Sequence, residues 1–295
     1  MKKNNFSFKY MYPHKDDPVV FYAVKALYGR YTDDNLSQLG GQLAYFFILS
    51  IFPMLMLISQ IVGILYIDTA ELSFVLSEFL PPNVLDIVFD YLQYASDTKS
   101  TGIFTFSAIS SVFIASKALT SIIYALNKAY RVDVLANNIQ KQILAFVGTL
   151  SLVFALILSL VLITVGKPLF YDILEFFRLD TISLQAWTIF RWSVSLSTLF
   201  LTLYLVYFII PVERIPRRYN VTGTLFTMIS LLTMSLGFAY YVNNFSKHTI
   251  IYGSLGTVML LLLYLYFSGI IIVLGGELIH ILYHRSIGNY EFDVK

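Results

Sequence analysis

Four side chains in this sequence could do chemistry at positions where few ionisable groups are tolerated. Lys117, Arg191, Glu277 and His280 each fall inside a long apolar run. A lysine or arginine at the centre of a bilayer costs from about 2.5 kcal/mol upward, so such a group pairs, snorkels to the interface or meets a ligand. Lys117 lies past the midpoint of its run and Glu277 at a similar depth in the last one. The expectation is that these two pair, or that both face one cavity. Arg191 sits near an end of its run, where a long side chain reaches the interface. Two intramembrane cations against one anion point to an anionic substrate such as a phosphate headgroup.

Glu277-x-x-His280, with His284 one turn further on, also fits a metal reading. Glu-x-x-His occurs in di-iron helical bundles, but those sites need two such motifs and two further Glu from neighbouring helices. The sequence does not supply that set. Polar contacts at a helix end are therefore the expected role, and neither a metal nor a cofactor is expected.

The elements that must position these residues are membrane helices. Of 295 residues, 57% are hydrophobic and 13% charged, against roughly 25% charged in soluble domains. Apolar runs cover Gln38–Tyr66, Gly102–Tyr124, Lys141–Val165, Leu184–Ile210, Asn220–Val242 and Ser254–Tyr283, each long enough to span a bilayer, which takes about 20 residues. With Lys141, at the edge of its run, counted in the second loop, fourteen Lys and Arg fall in the amino-terminal segment, the second and fourth loops and the tail; four fall on the opposite side. That asymmetry places both termini in the cytoplasm. The net charge of +2 gives no reason to expect a nucleic-acid partner. The absence of Cys removes disulfides and thiolate chemistry.

The expected fold class is all-α: a polytopic membrane bundle of six transmembrane helices with short amphipathic interfacial helices. It forms one membrane domain, with residues 1–37 as a cytoplasmic amphipathic segment, 38–283 as the bundle and 284–295 as a cytoplasmic tail. After Pro18, the residues Val20, Val24, Leu27, Tyr28 and Tyr31 recur on one face, with Lys25 and Arg30 nearby. This pattern suits a helix lying on the cytoplasmic leaflet or packed on the end of the bundle. The first outer loop, Ile67–Thr101, is broken at Pro81-Pro82 and is expected to hold two short amphipathic helices.

Small and polar residues mark the buried faces of membrane helices. Gln60 in the first span, Ser107, Ser111 and Lys117 in the second, and Arg191 and Thr198 in the fourth are candidates for a substrate pathway. Ser230 and Asn244 in the fifth span and Glu277 and His280 in the sixth complete the set. Ordinary interhelical packing is the competing account of each stripe. Pro53, Gly253, Gly256 and the pair Gly275-Gly276 are candidate hinges, since unwound backbone at membrane depth is tolerated beside protein or a water-filled cavity; for Gly275-Gly276 a simple packing notch is an equal alternative.

The run Leu43-Ala44-Tyr45-Phe46-Phe47 followed by Phe52-Pro53 resembles the first span of the YihY/BrkB family. So do Ser116-Lys117-Ala118-Leu119 leading to Ala125-Leu126-Asn127-Lys128-Ala129-Tyr130-Arg131, then Arg214-Ile215-Pro216, the Tyr252–Gly256 turn and Gly275-Gly276-Glu277-Leu278. The ordered set covers about residues 20–285, with Gly276-Glu277 in place of the more usual Ala-Glu. The resemblance implies a bacterial inner-membrane protein of about six helices. The family carries two historical labels, ribonuclease BN and virulence factor, and some relatives are linked to envelope or lipid transport.

Three functions follow as expectations. The first is a transporter or flippase-like protein for an anionic or amphiphilic envelope molecule, with membrane lipids and an anionic lipid or envelope precursor as partners and an oligomer as one arrangement. The second is a non-transporting scaffold or regulator of envelope homeostasis. The third, a ribonuclease, is disfavoured and the chain is not expected to be an enzyme: the four histidines, His14, His248, His280 and His284, fall on both sides of the expected membrane, whereas metal-assisted hydrolysis needs a gathered set of ligands.

Overall fold

The computed structural model describes residues 13–65, 89–90, 101–131, 184–209, 215–245 and 254–288. Among them the ordered elements are six helices: α1 (Val19–Asp33), α2 (Leu36–Leu65), α3 (Thr101–Ala129), α4 (Leu184–Ile209), α5 (Arg217–Phe245) and α6 (Ser254–Ser286). Five of these, α2 to α6, are long and apolar enough to cross a membrane. Their ends fall within a few residues of the hydrophobic runs. The expected third span, Lys141–Val165, lies outside the described residues, as does the first outer loop apart from Phe89, Asp90 and Thr101.

α6 is the hub. It packs against α1, α2, α3 and α5, while α2 lies along α3 and α4 along α5. The centre is apolar: Leu39 and Leu43 of α2, Ile123 and Leu126 of α3, Leu203 and Tyr207 of α4, and Val273 and Ile279 of α6 form one buried cluster. Without a hydrophobic force between helices in lipid, close approach depends on small residues. Gly40 and Gly269 supply it between α2 and α6: a Cβ at Gly269 would stand 3.0 Å from the Leu43 side chain, and one at Gly40 2.6 Å from Ile270.

Gly275 and Gly276 do not interrupt α6, which runs unbroken through both. Of the two readings of this pair, hinge and packing notch, the contacts fit the notch. A Cβ on Gly275 would collide with Thr227 Oγ1 and the Tyr207 hydroxyl, and one on Gly276 would lie 2.5 Å from Leu126 Cδ2. The bare backbone lets Tyr207 reach in and donate to the Ile272 carbonyl at 2.7 Å, with Thr227 Oγ1 2.8 Å away. α2 likewise continues through Pro53, and Gly256 is buried within the first turn of α6. Gly253 lies outside the described residues.

α1 starts where Pro18 fixes the backbone; the Pro18 carbonyl accepts the Tyr22 N–H at 2.9 Å. It stops at Asp34, and Asn35, at φ 53°, turns the chain into α2. Asn is among the few residues that visit this left-handed region at low cost. The inner face of α1 (Tyr22, Ala23, Ala26 and Arg30) is buried, with Tyr22 and Ala26 packed around Ile281 of α6. α1 is thus clamped across the end of the bundle.

Candidate functional site: a buried ionic junction at one end of the bundle

The residues of the junction come from four segments. Arg30 sits two turns after Tyr22 and one turn after Ala26, so the inner face of α1 carries it into the interior. Asp34 is the last residue before the turn into α2. Ala129 and Arg131 end α3; Arg131 has φ 54°, an uncommon conformation for a bulky residue, and its side chain is tied to Asp34. Glu277 and His280, one turn apart on α6, complete the set.

Arg30 Nη1 donates to Glu277 Oε2 at 3.0 Å and to the Ala129 carbonyl at 3.2 Å, and Nη2 lies 3.1 Å from His280 Nδ1. Because a guanidinium only donates, His280 Nδ1 accepts, which puts the ring proton on Nε2. The Ala129 carbonyl belongs to the last turn of α3, where unsatisfied carbonyls and the helix dipole favour a cation. Asp34 lies 3.9 Å from Arg30 and accepts from Arg131 Nη1 at 2.9 Å; the Asp34 carbonyl accepts from Lys128 Nζ at 2.6 Å. The side chains of Arg30 and Glu277 are 1% and 0% exposed. Glu277 Oε1 and Asp34 Oδ2 are buried without a hydrogen-bond partner.

A second anchor lies at the foot of α1. Arg285 of α6 donates to the Asp17 carbonyl at 2.7 Å and stands over the Tyr22 ring, 4.6 Å from its centroid. Asp17 accepts from the His14 N–H at 2.9 Å and from Lys25 Nζ at 2.8 Å. The His14 amide, and after it the Lys25 ammonium, hold the Asp17 carboxyl below its ordinary value of 3.8.

The expected pairing of Lys117 with Glu277 is corrected. Glu277 is bound to Arg30. Lys117 is exposed on α3, its ammonium 5.4 Å from the Phe113 ring centroid. The physical reason is geometric: α1 folds back over the end of the bundle and delivers a guanidinium to Glu277 with three contacts already fixed, whereas Lys117 faces outward from α3. Among the described residues no carboxylate pairs with Lys117.

The other candidates divide. Ser107 and His280 are buried, Ser230 is half-buried, and Thr198 and Asn244 are exposed. Gln60, Ser111 and Arg191 lie in α2, α3 and α4. Several hydroxyls and amides of the stripes satisfy themselves within their own helix: Thr198 donates to the Val194 carbonyl, Thr227 to Gly223, Ser268 to Tyr264, and the Asn244 amide to Tyr240, all at 2.8–2.9 Å. His280 and His284 stack at 4.0 Å. Among the described residues no three His, Asp or Glu side chains gather as a metal site.

The residue of the junction that the sequence hides is Arg30. The signal was the face it shares with Tyr22 and Ala26: a cation aligned with buried apolar residues rather than with the polar side of an amphipathic helix.

A helical membrane bundle with a glycine-notched last helix and a buried Arg–Glu junction at one end defines the class of protein. The family model described as virulence factor BrkB matches residues 27–292, and the chain belongs to that family. It is similar to the "ribonuclease-like" protein YfkH of Bacillus subtilis, 28% identical over 263 residues, covering 89% of this chain and 96% of that protein. It is also similar to a UPF0761 membrane protein of Cronobacter sakazakii, 26% identical over 269 residues, 86% of each chain. A UPF0761 membrane protein of Nitrosospira multiformis is 26% identical over 262 residues, which are 83% of this chain and 57% of that relative. No solved structure matches the chain. The protein is an integral, multi-pass membrane protein of the BrkB family.

Proposed function

We propose that the chain is a flippase-like transporter of an anionic amphiphile of the cell envelope, with both termini and the Arg30 junction on the cytoplasmic side. The observation that carries this reading is Lys117: a cation within the span Thr105–Ala129, exposed on the surface of α3 and without a carboxylate partner among the described residues. A cation at such depth is costly unless it snorkels to the interface or meets an anion. The buried apolar cluster fills the bundle on the side of the Arg30 junction, which argues against a closed polar pore through that end and for a route along helix surfaces. Such a route suits an amphiphile, whose headgroup passes a cation while its tails stay in hydrocarbon. The cytoplasmic assignment rests on the Lys and Arg asymmetry of the loops.

The ribonuclease-like name of the Bacillus relative is not carried over. General acid–base chemistry requires a group within hydrogen-bond reach of the substrate, and Glu277 and His280 are 0% and 1% exposed.

The test is reconstitution into liposomes with a headgroup-labelled anionic lipid and a zwitterionic control. Acceleration of transbilayer movement of the anionic lipid, reduced several-fold by Lys117→Met in a protein of unchanged melting temperature, is the expected result. Movement no faster than in protein-free liposomes refutes the reading.

A further inference from the structure

The outer face of α1 has no role in the junction or in the proposed transport route. Val20, Phe21, Val24, Tyr28 and Tyr31 are 72%, 65%, 60%, 50% and 37% exposed. At about 100° per residue they form one stripe roughly 100° wide, opposite the buried Tyr22, Ala26 and Arg30. The charged residues of α1 lie off that stripe: Arg30 points inward, Lys25 is turned to Asp17 at 2.8 Å, and Asp33 falls on the far side. The stripe is therefore apolar over about three helical turns.

Its direction is fixed. Arg30 is held by Glu277, His280 and the Ala129 carbonyl, and the foot of the helix by Arg285. α1 cannot roll to hide the stripe without breaking these contacts. Its position relative to the membrane is fixed too. Three peptide steps separate Asp33 from Leu36, so the end of α1 lies within about 11 Å of the start of α2. Leu36 is also where the apolar stretch of the first spanning helix, Leu36–Leu57, begins. The stripe therefore lies close to the point where the first span enters the bilayer.

We infer that the outer face of α1 is a membrane-docking surface, its valines and aromatic rings seated at the boundary between headgroups and acyl chains of the bilayer that holds the spans. A short apolar-faced helix with its rings at that depth is the usual form of an interfacial helix, and Tyr is enriched there because it presents an apolar body and a polar tip. Docking in lipid would press the helix that carries Arg30 against α6. This inference does not depend on the transport reading.

The chain has no Cys, so single-cysteine probes report unambiguously. Phe21→Cys, Tyr28→Cys and the aqueous control Asp16→Cys are labelled with an environment-sensitive fluorophore in the full chain, reconstituted in liposomes. Quenching by a nitroxide attached high on a lipid acyl chain is compared with quenching by aqueous iodide. Lipid nitroxide should quench the probes at 21 and 28 at least about twofold more than the probe at 16, and iodide the reverse. Iodide reaching 21 and 28 as readily as 16 would overturn the inference. So would protection of 21 and 28 from both quenchers together with cysteine cross-linking between two copies, which would assign the stripe to a second chain. Each substitution lies on the outer face or in the exposed segment before it, away from the junction; a melting temperature matching the parent confirms that the fold is kept.

Discussion

Arg30 and Glu277 are 247 positions apart in the chain and 3.0 Å apart in space, with their charged ends sealed from solvent. One guanidinium bridges an amphipathic helix, the carboxylate of the last spanning helix, a histidine beside it and the carbonyl end of a third helix. Its removal leaves more than one group unsatisfied.

Arg30→Ala should therefore cost about 3–5 kcal/mol, the scale for breaking one half of a buried ion pair. Arg30→Lys should recover little, because a lysine cannot reproduce the planar fork that reaches Glu277, Ala129 and His280 together. Replacing both partners, Arg30→Met with Glu277→Leu, should return much of the loss. Thermal or denaturant unfolding in detergent micelles checks the order of the variants.

Gly275→Ala should lower stability by about 1–3 kcal/mol, the usual scale of overpacking, since the new methyl group would run into Thr227 and Tyr207. Gly41→Ala, where nothing lies within 4 Å of the new carbon, should be neutral or stabilising by about 0.4–1 kcal/mol. Equal effects at the two sites would contradict the packing assigned to α6.

Asp17 ties the foot of α1 through the His14 amide and Lys25. Its carboxyl is lowered below 3.8 in the folded chain, so its contribution is fully present above that unfolded value and is lost as the pH falls through the lowered one. Protease susceptibility near the start of α1 should stay constant from neutral pH down to 3.8 and rise only below it. Asp17→Asn should show the raised susceptibility already at neutral pH.

The spans and α1 were legible in the sequence because lipid enforces a simple rule: long apolar runs become helices, and charges gather between them. Five runs match α2 to α6 to within a few residues. Partnership was harder to read. Lys117 and Glu277 share a depth, but depth does not say which way a side chain points around its helix. The partner of Glu277 came from outside the spans, on a helix whose outer stripe is easier to see than its inner face. The polar stripes leave two accounts open, a shared polar surface and ordinary packing. Thr198 and Asn244 bond to carbonyls one turn back, so their periodicity records helix geometry as much as any shared polar surface. The Gly275-Gly276 pair left a hinge and a packing notch equally open in the sequence; the absence of Cβ atoms serves close packing against Tyr207 and Leu126.

The account turns on Glu277 being held by α1, with Lys117 exposed on α3 and unpaired with any carboxylate among the described residues. A double-mutant cycle measured by unfolding in nanodiscs tests this most directly. Arg30→Met with Glu277→Gln should show a coupling of about 0.5–3 kcal/mol, as for residues in contact, whereas Lys117→Met with Glu277→Gln should be additive within about 0.5 kcal/mol. The reverse pattern, coupling to Lys117 and additivity with Arg30, would contradict it.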